Sequence, residues 1–177
     1  MPQNSLVRVF VHLVWATHAR APLLDPPTEA LVRATVAQQL ARLRCPLVAF
    51  GAWDDHVHLL TALPSELALA ALVRPVKSAS TVLVARQPHA AGFRWQEGYA
   101  ALSVSEAALA PVAAYVTRQR EHHARRTLDP SLEPSAALTP ESMAKIPADL
   151  FKSGFPSQTF ADVFALLKDT YLSLIHI

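Results

Sequence analysis

Along residues 6–17, LVRVFVHLVWAT, the positions Val7, Val9, Val11, Leu13 and Trp15 alternate with Arg8, Phe10, His12 and Val14. A period of two, carried by β-branched and aromatic residues, predicts a strand. HARAPLLDPP (18–27) is punctuated by prolines and predicts a loop. TEALVRATVAQQLARLR (28–44) changes period, with Leu31, Val32, Thr35, Val36, Leu40 and Leu43 on one helical face and Thr28 as the expected N-cap. PLVAFGAWDDHVHLLTAL (46–63) predicts two short strands with a turn near Gly51–Asp54. SELALAALVRPVKSASTVLVARQ (65–87) predicts a second helix, capped by Ser65 and broken or kinked at Pro75. FRWQEGYAALSVS (93–105) mixes a loop with a short strand, and EAALAPVAAYVTRQREHHARR (106–126) predicts a third helix with Pro111 early in it. Residues 127–159 are rich in Pro, Ser and Thr and predict a linker, and TFADVFALLKDTYLSL (159–174) predicts a last helix.

The resulting order is strand, helix, strand, strand, helix, strand, helix. It predicts an α+β fold: a ferredoxin-like βαββαβ antiparallel sheet with helices on one face, plus a third helix carrying Tyr115. Such a fold hosts many functions, so function has to come from the site. In a strand, residues i and i+2 point the same way, so His56 and His58 in DDHVHLL project together. Two imidazoles so placed can share a divalent ion. An isolated pair of this kind is equally a feature of unrelated surface or core strands. Asp55 can orient a histidine or serve only as a turn acid. Tyr115 and Gln119 share a helical face at i and i+4, with His122 and His123 one turn on. On periodicity alone that face is a core or rim face. Phe93, Trp95 and Tyr99 beside Arg94 can stack on nucleic-acid bases or pin a loop to the sheet.

Composition narrows these options. The 177 residues are 51% hydrophobic and 17% charged, enough for one domain with a real core. The single cysteine, Cys45, excludes an intrachain disulfide and a cysteine-built zinc site, and fits a reducing, cytoplasmic setting. The N-terminus lacks a secretory pattern, and no apolar run reaches the ~18 residues that span a membrane. Charge is uneven: residues 1–126 hold twelve arginines and Lys77 against eight acids, whereas residues 127–177 hold three lysines against six. An arginine-rich body suits a phosphate-rich partner, although arginine and alanine usage of this kind also follows from a GC-rich genome.

Taken together, HLVWATHARAPLL, DDHVHLL, VKSAST, FRWQEGYAALSVS and YVTRQREHH resemble, in order and spacing, motifs of one family. It is that of the single-tyrosine HUH transposases of small bacterial insertion sequences and their REP-associated tyrosine transposase relatives. The resemblance runs from about residue 8 to 126, so 1–126 is expected to be the transposase domain. It implies His56, His58 and Gln119 as ligands of a divalent Mg²⁺ or Mn²⁺ ion and Tyr115 as the nucleophile. It also implies homodimers, a bacterial cytoplasmic setting and single-stranded, hairpin-bearing DNA as the partner. Arg20, Lys77, Arg94, Trp95 and Arg118 are the expected DNA contacts, with Arg125 and Arg126 beside them. Residues 127–177 depart from the family's ending. The closing LSLIHI resembles translated adapter sequence, so the chain is expected to stop short of its native end.

The implied chemistry is transesterification. A phenol with a pKa near ~10 is a poor nucleophile at neutral pH, and a divalent ion that polarises the scissile phosphate compensates. Attack by Tyr115 leaves a 5′-phosphotyrosyl link and a free 3′-hydroxyl, which conserves the phosphodiester energy. That suits a chain with no GxxxxGK[ST] nucleotide loop. The alternatives are a domesticated hairpin nuclease of the REP type, a non-catalytic ferredoxin-like nucleic-acid-binding module, and a hydrolase that uses the histidines with water.

Overall fold

The computed structural model describes residues 6–134 apart from Ala91, and these belong to one compact unit. The helix expected over 159–174 and most of the expected linker lie outside the described residues.

Four strands, β1 (Phe10–Ala16), β2 (Leu47–Ala52), β3 (His56–Ala62) and β4 (Ala100–Val104), form one sheet in the order β2-β3-β1-β4. Every pairing is antiparallel, with Val14 and Gly51 flanking His58 on the neighbouring strands. The ferredoxin-like expectation is met. Helices α1 (Pro26–Arg42) and α2 (Leu69–Ala85) cover one face, where Val32, Val36, Leu72 and Val76 pack with Leu13, Trp15, Val57 and Leu59. Helix α3 (Leu109–Thr117) covers the opposite face through Val112 and Val116 on Ala49 and Leu60, and α4 (Gln119–Arg125) follows it. The strict alternation of β3 thus sends Val57 and Leu59 into the main core and His56, His58 and Leu60 towards α3.

Three local expectations are corrected. Asp25, not Thr28, caps α1: its carboxylate accepts the Thr28 N–H at 3.0 Å, and Pro26 and Pro27 fill first-turn positions where an N–H would be unused. Ser65 bonds to Glu66 instead of capping α2, which begins at Leu69 and continues through Pro75. The third helix is not continuous. Arg118, at φ −101° and ψ 26°, separates α3 from α4, so Tyr115 and Gln119 stand on different helices.

Close approach of α3 to the sheet depends on Gly51. A Cβ built there would lie 1.8 Å from the Val116 carbonyl oxygen and 3.0 Å from Gln119 Cγ. Only a residue without a side chain lets the helix sit this low over β2. None of the described helices is long and apolar enough to cross a membrane.

Candidate active site

His56 and His58 are both buried, on the face of β3 that α3 and α4 cover. Each has its Nδ1 engaged. The His56 Nδ1–H donates to Asp55 Oδ1 at 2.6 Å, and Asp55 Oδ2 is held by Arg20 Nε at 2.8 Å. His58 Nδ1 hydrogen-bonds to His12 Nε2 at 2.9 Å, with the two rings stacked. Both outward nitrogens being used, both Nε2 atoms face inward. This is the arrangement by which partners outside a metal centre orient its imidazoles. Burial and the neighbouring His58 push His12 down to about 4, so it is neutral at pH 7. Burial likewise lowers His58.

Tyr115 comes to the same place from α3, with its ring stacked on His122 at a centroid distance of 4.5 Å. Its hydroxyl donates to Glu133 Oε1 at 2.7 Å and accepts the Asp129 N–H at 3.2 Å. Burial, followed by the Glu133 carboxylate, raises this phenol to about 12. Glu133 also faces the histidine pair, with Oε2 3.5 Å from His56 Nε2 and Oε1 3.4 Å from His58 Nε2. Burial works to raise this carboxyl, but the imidazoles and the phenol outweigh it and hold it well below the usual carboxylate range. A nucleophile candidate and two metal-ligand candidates therefore converge on one carboxylate.

Gln119, at the start of α4, is buried with its Cγ beside Gly51, the strand partner of His58. Neither its amide oxygen nor its amide nitrogen finds a hydrogen-bond partner among the described residues, and His58 Nε2 is equally unpartnered. Buried polar atoms left this way are costly unless something binds them. Donor atoms of His56, His58 and Glu133 lie within 4.8 Å of one another, so the residues fit a divalent cation. Glu133 escaped sequence reasoning because it sits in the Pro- and Ser-rich stretch after Arg126, where no periodicity marks it. His12 escaped because only strand register brings it beside His58.

The expected DNA contacts separate. Arg118 is exposed and lines, with Tyr115 and His122, a cavity of about 820 Å³ that runs from Leu102 in β4 to Ser105 just beyond its end. Arg94 is exposed, its backbone carbonyl accepting the His18 N–H. Arg20 is tied to Asp55. Lys77 lies on α2, across the sheet from the histidines, and donates to the carbonyls of Gln96 at 2.8 Å and Gly98 at 2.6 Å. It clamps the loop before β4. Trp95 is a core residue, edge-on to Trp15 and Phe93, with its Nε1–H donated to buried Ser80. At 8% exposure it has no face free for a base, and the stacking role expected of it is not met.

The family model for IS200-like transposases matches residues 5–119. A crystal structure of a Deinococcus radiodurans R1 protein, assigned there as a transposase, is 26% identical with a TM-score of 0.54, and the match covers 67% of this chain and 96% of that one. The structure of a REP-associated tyrosine transposase bound to a REP hairpin is 13% identical with a TM-score of 0.53, over 70% of this chain and 74% of that one. This second likeness is one of fold. Comparison with curated proteins gives no match. Since the family model spans more than half of the sequence, and its range takes in the histidine pair, Tyr115 and Gln119, the chain belongs to the IS200-like transposases.

Proposed function

We propose that the protein is a metal-dependent transposase that cleaves and rejoins single-stranded, hairpin-bearing DNA with Tyr115 as nucleophile. The observation that carries this reading is the convergence of the Tyr115 hydroxyl and the two inward Nε2 atoms on the Glu133 carboxylate.

His56, His58 and Glu133 would hold a Mg²⁺ or Mn²⁺ ion, with the orphaned Gln119 amide oxygen as a further donor. When bound, the ion supplies Lewis-acid polarisation of the scissile phosphate. The chain supplies the rest. Glu133, already accepting the Tyr115 hydroxyl, takes the phenol proton. The Tyr115 oxygen attacks phosphorus, a new P–O bond forms, and the bond to the 3′-oxygen breaks. That oxygen leaves as a 3′-hydroxyl by taking a proton from solvent, and Glu133 gives the phenol proton back to solvent, so the protons balance. One phosphodiester bond is exchanged for one phosphotyrosine bond, so the reverse attack by a 3′-hydroxyl rejoins DNA without a nucleotide cofactor. Burial of the site excludes water that would otherwise hydrolyse the intermediate.

The cavity beside Tyr115, with exposed Arg118 on its rim, suits the strand that carries the scissile phosphate. Hairpin recognition is proposed by analogy with the REP-associated neighbour, which is described as bound to such a hairpin. A homodimer belongs to the same reading. The geometry within one chain favours a site assembled in cis, because Tyr115 already meets the carboxylate of its own His pocket. The working domain then extends past Arg126 to include Glu133.

The test mixes purified protein, Mn²⁺ and single-stranded DNA bearing hairpins, including the ends that flank the gene. The expected product is a denaturant-stable protein–DNA conjugate, absent with Tyr115→Phe and His56→Ala. DNA cleaved without a conjugate, or no conjugate with any of these substrates, overturns the reading.

A further inference from the structure

The two acids ahead of His56 are each gripped by an arginine from a different part of the chain. Asp54 Oδ1 meets Arg120 Nη1 of α4 at 3.1 Å, and Asp55 Oδ2 meets Arg20 Nε at 2.8 Å. The loop that delivers Arg20 is strained. Ala19 and Arg20 both take left-handed backbone, at φ 54° and 56°, and neither is a glycine. L residues are disfavoured there, and such a conformation persists only where its surroundings over-determine it. Buried Thr17 does this: its N–H donates to the Asp55 carbonyl at 2.8 Å and its hydroxyl to the Ala21 carbonyl at 2.7 Å. None of residues 18–20 is buried, so core packing does not explain the turn. What the turn delivers is the Arg20–Asp55 ion pair. We infer that Arg20 is a positioning residue of the site, acting on His56 through Asp55.

A carboxylate held through one oxygen can still turn about its Cβ–Cγ bond. Asp55 uses Oδ1 on the His56 Nδ1–H and faces Arg20 with Oδ2, so its plane is set from both ends. The His56 ring is set with it, Nε2 inward towards Glu133. The Arg20 side chain is 49% exposed, and an ion pair that open adds little to stability. An outer partner of a metal-binding imidazole weighs far more on affinity than on folding. Positioning and stability therefore come apart, and the role can be measured.

The inference rests on the metal-dependent reading above in one arm of its test only. In that arm the full chain is titrated with Co²⁺ and followed by visible ligand-field absorption. In the other, the His56 Nδ1–H proton is observed by NMR in metal-free protein and assigned by its loss in His56→Ala. Arg20→Ala should weaken Co²⁺ binding by about 10- to 100-fold and shift or broaden that proton signal, with the metal-free melting temperature nearly unchanged. Glutamine carries its amide nitrogen where arginine carries Nε, so Arg20→Gln should restore most of both readouts. In an Asp55→Asn background, Arg20→Ala should have no further effect. Wild-type readouts in Arg20→Ala would reduce Arg20 to a surface charge or a DNA contact and overturn the inference. So would effects of the Arg20 and Asp55 substitutions that simply add. If wild type binds no Co²⁺, the metal-dependent reading falls, and the proton signal alone decides the role of Arg20.

Discussion

Replacing Gly51 with alanine tests whether the site is assembled as described, because it exchanges no proposed catalytic or metal-binding residue and presses only on the Val116 backbone and on Gln119 Cγ. The new Cβ would lie 1.8 Å from the Val116 carbonyl oxygen and 2.9 Å from the carbonyl carbon. Real Cβ atoms do not approach closer than 3.0 Å, so α3 has to retreat from β2 by at least 1.2 Å, the difference between 3.0 and 1.8 Å. A backbone carbonyl cannot rotate away as a side chain can. Overpacking of this kind costs about 1–3 kcal/mol. For a domain of this size that corresponds to a fall in Tm of roughly 2–12 °C. The catalytic cost is larger. Val116 adjoins Tyr115, and misplacing a reacting group by ~1 Å costs on the order of 100-fold in rate. The assay pairs a thermal melt with single-turnover conjugate formation on hairpin DNA. The expected outcome is a folded protein with a lowered Tm and conjugate formation slowed by about 100-fold. A variant matching wild type in both would show that α3 does not rest on Gly51. A lowered Tm with an unchanged rate would show that α3 does not position the nucleophile.

Two further predictions concern the carboxylate and the buried imidazoles. Glu133→Gln keeps the shape of the side chain but removes the proton acceptor, so single-turnover conjugate formation should fall by roughly 10²–10⁴-fold. An unchanged rate would remove Glu133 from the reaction. The pH prediction concerns stability: His12 is lowered from 6.5 to about 4 by burial and by His58, so the folded state resists protonation that the unfolded chain accepts. The stabilisation is complete above pH 6.5 and is lost as pH falls through 4, by at most about 3 kcal/mol, and His58 moves in the same direction. Urea midpoints of metal-free protein between pH 7 and 4 measure it, and a flat profile would contradict the burial of this pair.

Much of the scaffold was legible because it is written in local periodicity. The alternation through Val11, Leu13 and Trp15 identified β1, and the i, i+2 spacing put His56 and His58 on one side of β3. What stayed hidden was non-local or conformational. Nothing in residues 127–134 signals that Glu133 returns to residues 56, 58 and 115, because that contact depends on where α4 ends. The break at Arg118 has no glycine or proline to mark it. For Trp95 the choice between stacking on bases and pinning a loop stays open in the sequence, because an aromatic residue in a loop looks the same whether its ring faces solvent or, as here, packs in the core with its Nε1–H donated to Ser80. Lys77 matched a motif, yet it clamps two carbonyls of the loop before β4.

The proposed catalytic cluster is drawn from positions far apart in synthesis order: strand β1 must wait for Val104 to complete its second edge, and the proposed proton acceptor follows 29 residues later, at Glu133. Translation delivers these pieces from N- to C-terminus at about 5–20 residues per second. A chain still threaded through the ribosome can hold its paired imidazoles and even its phenol, yet it lacks the group that would take the proton. On the proposed mechanism, a chain ending before Glu133 would keep its paired imidazoles and its phenol but would not cut.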